Sequence, residues 1–200
     1  NVFLATLALH GVDQFFCVPG ESYLGFLDAL YDDPKIRSVT CRHEGGAAYM
    51  ALADSKITGR PGVVFASRGP GSTNASVAVH AADIGATPLV CFFGQVSRKQ
   101  IHRFPSQQYD FVQAFGHYCR WVEQVDVAER LPEIVARAFH LAQSGTPGPV
   151  VVALPTDVLE EEIEAEPLGP QPAWGAEPSP RDLDAVAGLL ENAERPVLVV

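Results

Sequence analysis

Apolar positions recur along this chain in two alternating rhythms. Val2 to His10 carries them at helical spacing and stops at Gly11, a residue suited to the left-handed turn that closes a helix. A short apolar run follows, Gln14-Phe15-Phe16-Cys17-Val18, ended by Pro19-Gly20, and reads as a buried strand. Ser22 is placed to cap a helix reaching Tyr31, with Leu24, Phe26, Leu27 and Leu30 on its inner face. Ile36 to Cys41 predicts a second strand, Glu44 to Thr58 an Ala-rich helix closed by Gly59, and Val63 to Ala66 a third strand. Gly69-Pro70-Gly71 reads as a turn into a helix over Ser72 to Asp83, and Leu89 to Phe93 as the next strand. Gly94 to Gln108 is polar, basic and aperiodic, and a loop of that length inside a compact domain is usually functional. Val127 to Gln143 predicts an amphipathic helix. Pro149 to Leu154 is a continuous apolar strand, the pattern expected when both sheet faces are covered.

This alternation of strands and helices predicts an α/β fold, a doubly wound parallel sheet flanked by helices. After Asp157 the composition changes. Glu160-Glu161-Glu162 and the Pro/Gly-rich stretch from Pro167 to Pro180 read as a solvated linker. Ser179 then caps a helix over Asp182 to Leu190, and Pro196 to Val200 reads as the opening of a new sheet. The expected organisation is one domain over residues 1–160, a linker over 161–180 and the start of a second α/β domain over 181–200. Val2-Phe3-Leu4 already has the character of a helix interior and Val197 to Val200 that of a mid-strand, so the sequence reads as a fragment.

Composition narrows the function classes. The 200 residues are 47% hydrophobic and 19% charged, enough apolar surface for an ordered core. Lys and Arg total 14 against 24 Asp and Glu, and the net charge of -10 repels phosphate backbones, which argues against a general nucleic-acid binder. The longest apolar runs, such as Pro88 to Phe93, have strand length and fall far short of a membrane span. Cys17, Cys41, Cys91 and Cys119 form no CxxC or Cys/His cluster, so no metal is called for. Each lies in or beside an apolar run, as reduced core cysteines do, which points to the cytoplasm.

Candidate chemistry gathers at the carboxyl ends of predicted strands, the edge where open α/β sheets bind ligands. Three turns converge there: Val18-Pro19-Gly20-Glu21-Ser22, Arg42-His43-Glu44-Gly45-Gly46, and Ser67-Arg68-Gly69-Pro70-Gly71-Ser72-Thr73-Asn74. Glu44 has two readings, an acidic residue favoured by the helix dipole or a carboxylate held beside a ligand. Gly45 and Gly46 would let backbone and ligand approach closely. The Gly69 to Asn74 run approximates a dinucleotide fingerprint. That reading requires an acidic residue about 20 positions further on to hold the ribose, and Leu89 to Gln95 supplies none. Arg42, Arg68, Arg98, Lys99 and Arg103 form a cationic set, read either as a solvated, ion-paired face or as a site for an anionic group. His43 and His80 lie near the turns and read as structural.

The segments HGVDQFFCVPGESYLGFLDAL, CRHEGGAAYMALADSKITGRPGVVFASRGPGSTN and ATPLVCFFGQV, in this order, resemble the pyrimidine-binding domain of thiamine diphosphate enzymes, in the branch of the acetolactate synthases. The resemblance covers about residues 1–160. It implies that Glu44 hydrogen-bonds N1′ of the cofactor's aminopyrimidine and favours the imino tautomer, which takes the proton from thiazolium C2. It implies further that Val18, Pro70 and Asn74 line the aminopyrimidine site, that Gln107 approaches the reacting centre, and that Gly20 lies on the substrate side. The activity implied is decarboxylation of a 2-oxo acid followed by carboligation. A decarboxylase without ligation, or a non-catalytic binding or regulatory subunit, is the alternative.

The chain departs from the acetolactate synthase pattern at three places. Pro105-Ser106-Gln107-Gln108 stands for Ala-Phe-Gln-Glu, Glu21 for the second glycine of a Pro-Gly-Gly turn, and Gly85 for an aspartate. The Gly-Asp-Gly motif with which this family holds magnesium and the diphosphate lies in a separate C-terminal domain, and the sequence contains no such motif. The resemblance therefore implies Mg2+ bound by a domain absent from this chain, and a homodimer or homotetramer whose active site is shared between subunits. This piece alone is then expected to be inactive. Some relatives also carry FAD, which no residue here calls for.

Overall fold

The computed structural model describes residues 2–172, 177–197 and 199. Its strands are β1 (Gln14–Cys17), β2 (Arg37–Thr40), β3 (Gly62–Ala66), β4 (Leu89–Gln95), β5 (Trp121–Gln124) and β6 (Pro149–Pro155). They form one six-stranded, all-parallel sheet in the order β2-β1-β3-β4-β6-β5. The helices are α1 (Val2–Leu9), α2 (Leu24–Asp32), α3 (Glu44–Thr58), α4 (Arg68–Ile84), α5 (Phe111–Phe115), α6 (Leu131–Gln143), α7 (Thr156–Glu160) and α8 (Pro180–Glu191). The expected doubly wound parallel architecture is therefore observed.

Strand alternation builds two different cores. On one face Phe15, Phe65 and Phe92 meet Phe3 and Leu7 of α1, Phe26 of α2 and Phe139 of α6. Phe65 stacks on Phe26 at 4.5 Å and on Phe92 at 4.9 Å between ring centroids. On the other face Phe16, Val64, Cys91 and Phe93 meet Ala47, Ala48 and Ala51 of α3 and Ala75, Ala78 and Ala82 of α4. All six of these alanines are fully buried. One side is thus packed with aromatic rings and the other with methyl groups.

The chain winds outward from β1 to β2 and then returns to β3 on the other side of β1. The reversal opens a crevice at the carboxyl ends of β1 and β3, where such sheets bind ligands. All three turns singled out above lie at this edge of the sheet.

Several elements differ from the expectation. Ser22 does not cap α2. It lies in a turn of 3-10 helix over Glu21–Tyr23, is fully buried, and shares a hydrogen bond with the Ser67 hydroxyl at 2.7 Å. Gly69-Pro70-Gly71 is not a turn before α4 but its first turn, because the helix starts at Arg68. Pro70 is tolerated there because backbone N–H groups in a first turn have no intrahelical partner. The helix expected from Val127 is a 3-10 turn over Ala128–Arg130 followed by α6. β5 and α5 had no counterpart in the hydrophobic pattern. β5 pairs only with β6, and all four of its residues, Glu123 and Gln124 among them, are half-buried.

Beyond α7, the described residues from Glu161 to Ser179 form no helix or strand. Ser179 caps α8 as expected, its hydroxyl accepting from the backbone N–H of Asp182 at 3.2 Å. α8 buries none of its residues. Of the strand expected over Pro196 to Val200, Pro196, Val197 and Val199 are not in a strand, while Leu198 and Val200 lie outside the described residues.

Candidate cofactor site

Glu44 is the first residue of α3, immediately after the turn that leaves β2. His43, in extended conformation, caps the helix by accepting the Gly45 N–H on Nδ1 at 3.0 Å. The structural reading of His43 is the one observed. Across the crevice, Asn74 of α4 donates its side-chain N–H to Oε2 of Glu44 at 2.9 Å. The other oxygen, Oε1, lies over Gly71, 3.4 Å from where a Cβ would stand. A glycine at 71 therefore leaves the face of this carboxylate uncovered by any side chain of α4's first turn. Gly45 serves the same approach, since a Cβ there would stand 3.0 Å from the Asn74 carbonyl oxygen.

The turn after β1 is locked against the ends of β3 and β4. A Cβ on Gly20 would stand 2.6 Å from that of Ser67, and one on Gly94 would overlap the Ser22 hydroxyl. Val18 presents its carbonyl to the hydroxyl of Tyr23, which donates a short hydrogen bond to it. Tyr23 is fully buried. Burial pushes its phenol well above the ordinary range, and the nearby Cys17 and Glu44 push it further, so it remains a donor at any working pH.

The long loop after β4 returns to the same place. Gln95, 2% exposed at the end of β4, donates from Nε2 to the Tyr109 carbonyl at 2.7 Å and accepts the Val96 N–H at 3.0 Å. This fixes the loop's exit. Gln107 has a left-handed backbone, φ 69°, and its carbonyl accepts the Gly69 N–H at 3.2 Å. Its side-chain oxygen accepts from Arg68 at 3.4 Å.

Glu44 and Asn74 are thus in direct contact, and Pro70 is exposed on the first turn of α4 beside them. Gln107 reaches that turn at Gly69. Gly20 reaches it through Ser67, and Val18 is joined to the site through Tyr23. Sequence reasoning missed Gln95, Tyr23 and the Ser22–Ser67 pair. A glutamine closing an otherwise apolar strand was the available signal.

The cationic set divides. Arg98 is consumed structurally, donating to Asp157 at 2.9 Å and to the Asp126 carbonyl at 2.7 Å, and pairing closely with Glu161. Arg42, Lys99 and Arg103 are exposed, whereas Arg68 bonds Glu21 of the turn after β1 and Gln107 of the loop after β4. Cys17 and Cys91 are buried, and burial pushes both thiols up, Cys91 most strongly, as expected of core residues. Among the described residues no group of three or more His, Cys, Asp or Glu could hold a metal ion, and no helix is long and apolar enough to cross a membrane.

The donor set fits an aminopyrimidine. An acceptor-only carboxylate, oriented by an amide and left open on one side, suits a ring nitrogen carrying a proton. Comparison with known proteins agrees. A family model described as thiamine pyrophosphate enzyme, N-terminal TPP binding domain, matches residues 1–115. The mitochondrial acetolactate synthase of Schizosaccharomyces pombe is 34% identical over 99% of this chain and 31% of its own length. The large subunit of acetolactate synthase isozyme 1 of Escherichia coli K12 is 35% identical over 96% of this chain and 34% of its own. The glyoxylate carboligase of Escherichia coli O157:H7 is 33% identical over 96% of this chain and 33% of its own. The chain spans about a third of the length of the curated relatives it matches. With the match to residues 1–115 covering β1 to β4 and the crevice residues described above, the chain belongs to the thiamine pyrophosphate enzymes, as their N-terminal TPP-binding domain.

Proposed function

We propose that the full-length protein is a thiamine diphosphate-dependent carboligase acting on 2-oxo acids, and that this chain supplies the half-site that activates the aminopyrimidine. The observation that carries the reading is the Asn74–Glu44 hydrogen bond of 2.9 Å at the sheet's switch point, with Gly71 leaving the carboxylate's other oxygen open. The cofactor, when bound, supplies a carbanion-forming centre and an electron sink for decarboxylation. Glu44 holds a proton at N1′ of the aminopyrimidine, and Asn74 keeps the carboxylate turned towards it. Pro70 and Val18 line the ring, Gln107 stands towards the reacting centre, and Gly20 keeps the substrate side open. Acetolactate synthases and a glyoxylate carboligase among the relatives support ligation as the outcome.

Residues 1–160 form the pyrimidine-binding domain in this reading, 161–180 a linker, and 181–200 the start of a central α/β domain whose remainder would cover the exposed α8. Mg2+ and the diphosphate are assigned to a further domain, the active site to a homodimer or homotetramer that shares it between subunits, and the enzyme to the cytoplasm. The test is thiamine diphosphate binding with magnesium on the full-length protein, wild type against Glu44→Gln, followed by exchange of the C2 proton. Tight binding to wild type with exchange lost in the variant is the expected result. Normal exchange in Glu44→Gln overturns the role of Glu44, and no binding to wild type overturns the function.

A further inference from the structure

Arg68 is held unusually for a cation beside a crevice. Its backbone is left-handed, φ 48°, a conformation that non-glycine residues adopt only when their surroundings impose it. Its side chain is 19% exposed, and the Nε–H is buried with no acceptor. A single guanidinium nitrogen makes both side-chain contacts, to Glu21 Oε1 at 2.7 Å and to Gln107 Oε1 at 3.4 Å. Its charged partner is therefore a carboxylate whose own side chain is 69% exposed. A guanidinium with a buried, unpartnered Nε–H is matched by a planar, two-oxygen anion, and the surface residue Glu21 meets it through one oxygen only.

The position matters as much as the pairing. Arg68 follows Ser67, against which Gly20 is packed, and precedes Gly69, whose N–H holds the Gln107 carbonyl. It stands three residues before Gly71, over which Glu44 lies. The turn after β1, the end of β3 and the loop after β4 thus meet at this guanidinium, the one of the basic set whose side chain bonds residues of both neighbouring loops among the described residues.

We infer that Arg68 is a specificity-determining residue that anchors the carboxylate of the incoming 2-oxo acid, with Glu21 as an internal stand-in that the substrate displaces. The inference rests on the function proposed above and deepens it by naming what this half-site recognises in the substrate. Glu21 lies mostly in solvent and meets Arg68 through one oxygen, so a substrate carboxylate that meets two guanidinium nitrogens is the better-matched anion. Gln107, sharing the same guanidinium nitrogen, sets its direction. Glu21 then sets the threshold concentration at which substrate enters, and the enzyme prefers anionic carbonyl compounds to neutral ones of the same shape.

The experiment uses the full-length holoenzyme and whichever of pyruvate, 2-oxobutyrate and glyoxylate the wild type turns over. Arg68→Ser is expected to raise KM about 10- to 100-fold, the effect of losing one charged hydrogen-bonded contact. It should also weaken inhibition by the monoanion methyl acetylphosphonate to the same degree and leave inhibition by neutral dimethyl acetylphosphonate unchanged. Arg68→Lys should recover part of the loss, and Glu21→Gln should lower KM. C2 proton exchange, which needs no substrate, should stay at the wild-type rate in all three variants. Equal weakening towards the charged and neutral phosphonates, or an unchanged KM in Arg68→Ser, overturns the anchor. A raised KM in Glu21→Gln overturns the stand-in. A wild type that exchanges the C2 proton but turns over no 2-oxo acid overturns the inference and the substrate class together, whereas absence of exchange overturns the cofactor reading itself.

Discussion

The side-chain amide of Asn74 donates to Oε2 of Glu44 at 2.9 Å, joining α4 to the first residue of α3 across the crevice. The amide holds one carboxylate oxygen in place and so leaves the other aimed past Gly71. Replacing Asn74 by Ala frees the carboxylate to rotate. In the full-length enzyme kcat/KM should fall about 10- to 100-fold, with thermal stability changed little, since a hydrogen bond to a charged group is worth ~1.5–3 kcal/mol. Asn74→Asp should act differently. A carboxylate set against that of Glu44 repels it instead of holding it, so kcat/KM should fall further than in Asn74→Ala. Comparison of kcat/KM for the two variants checks this.

Gly94 and Ser22 meet so closely that any side chain at 94 would overlap the serine hydroxyl. Gly94→Ala should therefore destabilise the protein by about 1–3 kcal/mol in chemical denaturation, the range for an added methyl in a packed core. Adding Ser22→Gly to that variant removes the clashing atoms and should restore part of the loss. Non-additivity of the pair in a double-mutant cycle is the decisive reading.

Asp157 gives a pH dependence with a definite sign. Burial raises its carboxyl, but the hydrogen bonds and charge of Arg98 outweigh burial and leave it below the ordinary range. A folded value below the unfolded one means stability that is present above about pH 3.9 and is lost as pH falls through the folded value. The loop after β4 should accordingly loosen below about pH 4, as increased hydrogen exchange of the Arg98 amide, which donates to Asp157 at 3.0 Å. Asp157→Asn should show that loosening already at neutral pH.

Much of the frame was readable because β1, β3, β4 and β6 are short apolar runs bounded by Gly and Pro, and their parallel pairing follows from the helices between them. That Glu44 and Asn74 come to one edge of the sheet was readable because the turns that follow parallel strands lie at the same edge. β5 was hidden because an edge strand pairs on one side only and tolerates Glu123 and Gln124. Ser22 looked like a cap because caps and buried hydroxyl pairs use the same residue type, and its partner Ser67 stands 45 positions away. Local pattern does not reveal such pairings. The start of α4 was placed too late for a related reason, since glycine and proline punctuate turns yet also suit a helix's first turn when a loop carbonyl takes up the Gly69 N–H.

The unequal faces of the sheet have a consequence for the precision of the site. Long aromatic side chains can adjust by rotation, whereas a methyl group has no torsion with which to absorb an error. α3 and α4 rest on the sheet and on each other through alanines, so the spacing of their N-terminal halves is set by hard contact. That spacing is the distance between Glu44 and Asn74. The thin face therefore works as a gauge block under the site. A methylene added at Ala48 or Ala78 would have to move α3 or α4, and with them the Glu44–Asn74 pair.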